Sequence, residues 1–79
     1  LAMREICEWA AARNLVVSEV GDGMKVHGDR YDIIIKSGES GFECYVWRKI
    51  APSGRIYRKR FKTEKGVRNY LNRYRWVLL

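Results

Sequence analysis

The tetrapeptide Ala51-Pro52-Ser53-Gly54 is the strongest single constraint on how this chain folds. Pro presets the backbone for the second position of a type I turn and has no N–H to give to a central strand, and Gly supplies left-handed backbone two residues later. Residues 42–50 and 55–61, on either side, are rich in aromatic and β-branched side chains and read as strands. A three-residue loop would place Lys49 opposite Tyr57, Trp47 opposite Lys59 and Tyr45 opposite Phe61.

The remaining elements follow from similar punctuation. Residues 3–14 carry Met3, Ile6, Cys7, Trp9 and Ala10 at helical spacing, and Asn14 is a natural stop. Residues 15–20 and 24–27 flank Gly21-Asp22-Gly23 as a hairpin would. Residues 31–36 alternate, with Tyr31, Ile33 and Ile35 on one side. A loop over 37–41 leads to the strand at 42–50. Thr63 is suited to cap a last helix over 64–76, whose inner face is Val67, Tyr70, Leu71 and Tyr74 at i, i+3, i+4 and i+7. The predicted fold is α+β: a small antiparallel sheet of three to five strands with an N-terminal and a C-terminal helix. Seventy-nine residues, 47% of them hydrophobic, suffice for one domain over 1–79 and one thin core.

Charge is distributed unevenly along this frame. Residues 45–79 hold eleven Lys and Arg against the single acid Glu64, whereas residues 1–30 hold four bases and five acids. A positive block interleaved with Tyr45, Trp47, Tyr57, Phe61, Tyr70, Tyr74 and Trp76 is a folded basic surface, and its usual recipient is a polyanion. Arg outnumbers Lys ten to six. The planar guanidinium suits phosphates and base edges, while Lys acts as a point charge.

The expected register sorts these residues by face. With a five-residue loop at 37–41, Ile33 meets Tyr45 and Tyr31 meets Trp47. One face then gathers Tyr31, Ile33, Ile35, Tyr45, Trp47, Tyr57 and Phe61 as the core beneath the last helix. The other gathers Arg48, Arg58 and Arg60 with Ile34, Phe42, Cys44, Val46, Ile50 and Ile56, and Arg48 would directly oppose Arg58. Opposed like charges are destabilising in a strand pair, and an anionic ligand would relieve them. The apolar part of that face has to be covered by the first helix, by ligand, or by a second subunit in a homodimer. Lys65, Arg68, Asn72 and Arg75 form a basic stripe on the last helix that would extend the patch.

Nucleic acid is therefore the expected partner. Arg48, Arg58 and Arg60 are candidates for phosphate or base-edge contact, and Lys59, Lys62, Lys65, Arg68 and Arg75 for phosphate contact. A one-residue slip in the hairpin would instead put Tyr45 and Trp47 beside Arg58 and Arg60, a stacking platform for single-stranded DNA or RNA. Cys7 and Cys44 are isolated and His27 is the single histidine, so neither a metal nor another cofactor is expected. No apolar run reaches membrane-spanning length. The expected location is intracellular, cytoplasmic or nucleoid-associated, without membrane association.

Residues 54–71 read G-R-I-Y-R-K-R-F-K-T-E-K-G-V-R-N-Y-L. The hairpin, Phe61-Lys62-Thr63, Val67 and the Tyr70-Leu71 pair resemble the arm-binding domains of phage-type tyrosine integrases. The resemblance covers the C-terminal half. It implies a sheet packed on one helix with its free face in a DNA major groove, Phe61, Val67, Tyr70 and Leu71 in the core, and Arg48, Arg58 and Arg60 toward DNA. It favours DNA over RNA, and duplex DNA ahead of single strands. Methyl-CpG-binding and plant ethylene-response domains look similar in architecture. The helix–strands–helix order is also similar to double-stranded-RNA-binding domains, whose Lys-rich second-helix start does not match residues 63–67.

A catalytic reading rests on another resemblance. Glu5, residues 31–34 and residues 42–45 look like restriction-endonuclease-like resolvases, in which paired carboxylates hold magnesium and a strand Lys positions water. Here Tyr45 stands where that Lys is expected, and the register assigns Asp32 and Glu43 to opposite faces. The expectation is a binding protein and not an enzyme. A small protein-interaction module or inhibitor is the further alternative, since basic patches also fit acidic protein surfaces.

Overall fold

The computed structural model describes residues 3–50, 54 and 56–73. The chain is an α+β unit: helix α1 (Arg4–Ala12), strands β1 (Val16–Val20), β2 (Gly23–His27), β3 (Tyr31–Gly38), β4 (Gly41–Arg48) and β5 (Ile56–Phe61), then helix α2 (Glu64–Arg73). The strands form one antiparallel sheet in the order β1-β2-β3-β4-β5. Arg75, Tyr74, Ala51, Pro52, Ser53 and Arg55, assigned above to a helix stripe, a helix face or a hairpin, lie outside the described residues.

Local chemistry explains the boundaries. Asn14 takes a left-handed conformation, φ 57°, and stops α1. Gly21, φ 57°, is the first central residue of the two-residue turn joining Val20 to Gly23. The Thr63 hydroxyl accepts a hydrogen bond from the Gly66 N–H at 3.1 Å and caps α2. Helix α1 has no capping side chain of its own. Its Ile6 N–H instead donates to Glu64 Oε2 at 3.1 Å, so a carboxylate in the first turn of α2 also serves the start of α1.

Both helices lie on one face of the sheet. Ile6, Trp9 and Ala10 from α1, and Val67 and Leu71 from α2, pack on Met24, Val26, Ile33, Ile35, Cys44 and Val46. The helices are joined at their far ends by Trp9, whose Nε1 donates to Asn72 Oδ1 at 2.6 Å; the Arg13 guanidinium lies over the Trp9 ring and donates to the same oxygen at 2.8 Å. Among the described residues no helix is long and apolar enough to cross a membrane.

The strand register differs from expectation in both hairpins. Strand β3 runs on to Gly38 and β4 starts at Gly41, so the loop is two residues and Ile33 faces Val46, Ile34 faces Tyr45 and Asp32 faces Trp47. At the other end β4 stops at Arg48, short of the expected Ile50. Lys49 N–H donates to the Arg30 carbonyl at 2.8 Å, one step beyond Tyr31–Arg48 in the β3–β4 register, while the pairing of β4 with β5 ends at Trp47–Ile56. The β4–β5 pairs are Phe42–Phe61, Cys44–Lys59, Tyr45–Arg58, Val46–Tyr57 and Trp47–Ile56. Because strand side chains alternate, both odd shifts invert β4. Phe42, Cys44 and Val46 face the helices, and Tyr45 and Trp47 do not. Tyr31, Ile33, Ile35, Phe61, Val67, Tyr70 and Leu71 keep their expected side.

Two measurements check this packing. Val46 is 7% exposed and Trp47 40%. Val46→Ala should cost about 2 kcal/mol and Trp47→Ala less than about 1 kcal/mol in urea unfolding; the reverse ranking would place β4 one residue out of register. Burial without charge compensation holds the Cys44 thiol protonated up to about 12, against 9.0 for a free thiol. An unfolded chain ionises it first, so its contribution to stability is whole below pH 9.0 and is lost as the pH rises toward about 12. The stability advantage of wild type over Cys44→Ala should therefore shrink above pH 9.0, by at most about 1.4 kcal/mol per pH unit. An advantage that stays flat would mean a solvated thiol.

Candidate nucleic-acid interface

With both helices on one side, the opposite face of the sheet has no covering element among the described residues. Its side chains fall into three rows across the strands. The first is Val16, His27, Asp32, Trp47 and Ile56; the second is Ser18, Lys25, Ile34, Tyr45 and Arg58; the third is Val20, Gly23, Lys36, Glu43 and Arg60. Successive rows are about 6.6 Å apart, two residues of strand rise.

The aromatic pair stands in the middle of this surface. Tyr45 and Trp47 are i and i+2 neighbours on β4, and each has an ammonium group beside it, from β3 and from β2 respectively. Lys25 Nζ lies 5.6 Å from the Trp47 ring centre, and Lys36 Nζ lies 5.8 Å from that of Tyr45. These are cation–π distances. Ile34, Lys36, Tyr45, Trp47 and Ile56 line a shallow groove of about 180 Å³. Ile56 is 62% exposed.

Ion pairs organise the two ends. Asp32 is buried, and its carboxylate meets Lys49 Nζ at 3.4 Å, Lys25 Nζ at 3.6 Å and His27 Nδ1 at 3.9 Å, with the Gly28 N–H at 3.4 Å. Lys49 Nζ also donates to the Gly28 carbonyl at 2.6 Å. This anion holds Lys25 beside the Trp47 ring and pins Lys49, the residue after β4. In the third row, Arg60 Nε donates to Glu43 Oε2 at 3.2 Å, and the Tyr45 hydroxyl donates to the same oxygen at 3.4 Å. Arg58 and Lys36 have no carboxylate partner among the described residues.

The expected site residues are thereby redistributed. Arg58, Arg60, Tyr45 and Trp47 meet on the open face. Arg48 does not: it pairs with Tyr31 on the helix-covered side and is half-buried. Arg58 faces Tyr45, so the anticipated Arg48–Arg58 repulsion does not arise. Lys59 lies on the helix side of β5, opposite Cys44. Lys62 and Lys65 are exposed at the approach to α2 and in its first turn. The helix stripe does not extend the open-face patch: Arg68 Nη1 pairs with Glu5 Oε1 of α1 at 3.5 Å, and Asn72 is engaged by Trp9 and Arg13.

Two lysines were missed by the charge count. Lys25 and Lys36 belong to segments whose charges balance or run acidic, and only the β2–β3–β4 pairing brings them to the aromatics. Asp32 and Glu43 share the open face, contrary to expectation, but Asp32 is opposite Trp47 and Glu43 opposite Lys36. That is four residues of strand, about 13 Å, too far for one metal. Among the described residues no three His, Cys, Asp or Glu side chains are grouped to hold a metal ion.

Comparison with known proteins gives no match, whether to a family model, a curated protein or a solved structure.

Asp32→Asn should destabilise the fold by about 1–3 kcal/mol in urea unfolding, since Lys25 and Lys49 lose a buried partner. Unchanged stability in Asp32→Asn would mean that the carboxylate does not hold Lys25 and Lys49 in place.

Proposed function

We propose that this chain is a non-catalytic nucleic-acid-binding domain whose open sheet face takes single-stranded nucleic acid. The observation that carries the reading is the placement of Trp47 and Tyr45 on the uncovered face, in rows with Ile56 and Arg58 and beside Lys25 and Lys36. Bases stack on the two rings, and the ring spacing along β4, about 6.6 Å, leaves room for one base at each. Arg58, Lys36 and the partly neutralised Arg60 and Lys25 take the phosphates. Stacking supplies about 1–3 kcal/mol per base without sequence preference, because every base has a π face. The resemblance of residues 54–71 to integrase arm-binding domains is what favours DNA over RNA.

A second reading is supported by the exposure of Ile56 next to Trp47 and Ile34. The same apolar strip could seat a protein surface or a second copy of the chain. That contact would be insensitive to salt, and a self-contact would show as a concentration-dependent mass in sedimentation equilibrium.

Titration with single-stranded DNA, RNA and duplex DNA at several salt concentrations separates the readings. Single strands should quench tryptophan fluorescence, and affinity should fall with a log–log salt slope of about −3 for about four phosphate contacts. Trp47→Ala should weaken binding by about 1–3 kcal/mol, and Arg58→Ala should flatten the slope by about 0.7. Duplex binding without quenching would move the face into a DNA groove. Absence of binding to all three at low salt would remove nucleic acid as the partner.

A further inference from the structure

The helix side of β5 carries a second set of cations, which the open-face site does not use. Lys59 Nζ lies 5.4 Å from the Tyr70 ring centre and 5.9 Å from that of Phe61. The two rings pack on each other at 5.2 Å and 50°. Along α2, Gly66, Asn69, Tyr70 and Arg73 recur at i, i+3, i+4 and i+7 and share one flank. With Lys59 and Phe61 they line a groove of about 290 Å³. This is the flank of α2 turned away from the Lys65, Arg68 and Asn72 stripe.

The groove's electrostatics are one-sided. Neither Lys59 nor Arg73 has a carboxylate partner among the described residues. Glu64 is the single acid after Glu43, and its carboxylate is directed to the Ile6 N–H. The groove approaches the C-terminal end of α2, where the helix dipole contributes about half a negative charge. Two full positive charges outweigh it. An ammonium, a guanidinium fork and the Asn69 amide over an aromatic floor are the groups that recognise a phosphate oxyanion.

We infer that this groove is a phosphate subsite, and that a strand lying on the open face crosses the outer edge of β5 to seat a backbone phosphate among Lys59, Asn69 and Arg73. The inference rests on the single-strand reading of the open face. Among the described residues β5 is the last strand of the sheet, and none of them adds a strand across the crossing. Its alternation puts Arg58 and Arg60 on one face and Lys59 between them on the other. Consecutive residues of one edge strand therefore hold cations on both sides of the path.

The test uses the full chain with two oligothymidylates, about four and about twelve nucleotides long, spanning usual site sizes. Inorganic phosphate is added in a separate arm. Wild type should bind the longer strand at least tenfold more tightly than the short one. In the double variant Lys59→Ala/Arg73→Ala, both changes at exposed positions, the short strand should bind as before and the length advantage should vanish. Inorganic phosphate should shift the Gly66 and Asn69 amide resonances in wild type and not in the double variant. An undiminished length advantage in the double variant overturns the subsite and leaves the platform intact. The converse, Trp47→Ala binding both strands as wild type does, overturns the platform and the wrapped path. Phosphate-induced amide shifts would then assign the groove to a free phosphate group.

Discussion

The pairing of β3 with β4 decides what the rest of the molecule can be. Its two-residue connection, Glu39-Ser40, sets the parity of β4. Gly41 makes this connection feasible: its φ of 123° is open to Gly, and a Cβ there would come within 2.3 Å of the Phe61 carbonyl oxygen. A side chain at position 41 would push β5 away or lengthen the loop. Either change moves the register, and a shift of one residue exchanges Cys44 and Val46 for Tyr45 and Trp47. The small residues fit beneath helices that already bring Ile6, Trp9 and Leu71 to the sheet, where two more large aromatic rings would overfill the layer.

The helices accept this arrangement because each begins at the same carboxylate. Glu64 occupies the first turn of α2 and receives the Ile6 N–H of α1, which lacks a cap. Both positive dipole ends therefore converge on one acid. Trp9, Arg13 and Asn72 tie the opposite ends. A helix pair clamped at both ends covers one face as a unit and cannot be divided between the two. The bare face follows from that clamp as much as from the sheet.

Much of this frame is visible in the sequence. The glycines at 21, 23, 38 and 41, the stop at Asn14, the cap at Thr63 and the apolar period of α2 mark every element, because each signal is local. Parity is not local. It turns on the β3–β4 loop being two residues and not five, and on a β4–β5 pairing that ends at Trp47–Ile56, while Lys49 still meets Arg30, nineteen positions away, in the β3–β4 register. The alternative of Tyr45 and Trp47 beside Arg58 and Arg60 was legible as what an odd slip would give, though not which register would win. Lys25 and Lys36 were illegible because charge was counted along the chain and not across strands. Arg68 and Asn72 misled for a related reason: a helical stripe looks solvated until a second helix is placed against it.

The C-terminal positive block therefore does not act as one patch. β5 divides it by alternation, Arg58 and Arg60 to one face and Lys59 to the other, and α1 neutralises Arg68. The open face gains two lysines from the balanced half of the chain and keeps two acids, one buried as an anchor and one shared by Arg60 and Tyr45. What distinguishes this face is thus less its net charge than the placing of Trp47 and Tyr45 beside the lysines Lys25 and Lys36. Leaving a Trp side chain 40% exposed beside an Ile at 62% forgoes burial that a third helix or a longer loop could have supplied, about 25 cal/mol for each Å² left in water. Solubility alone asks for the lysines and arginines and not for the rings. The proposed ligand, a nucleic-acid strand, would call for the two together, since it has both flat apolar faces and negative charge.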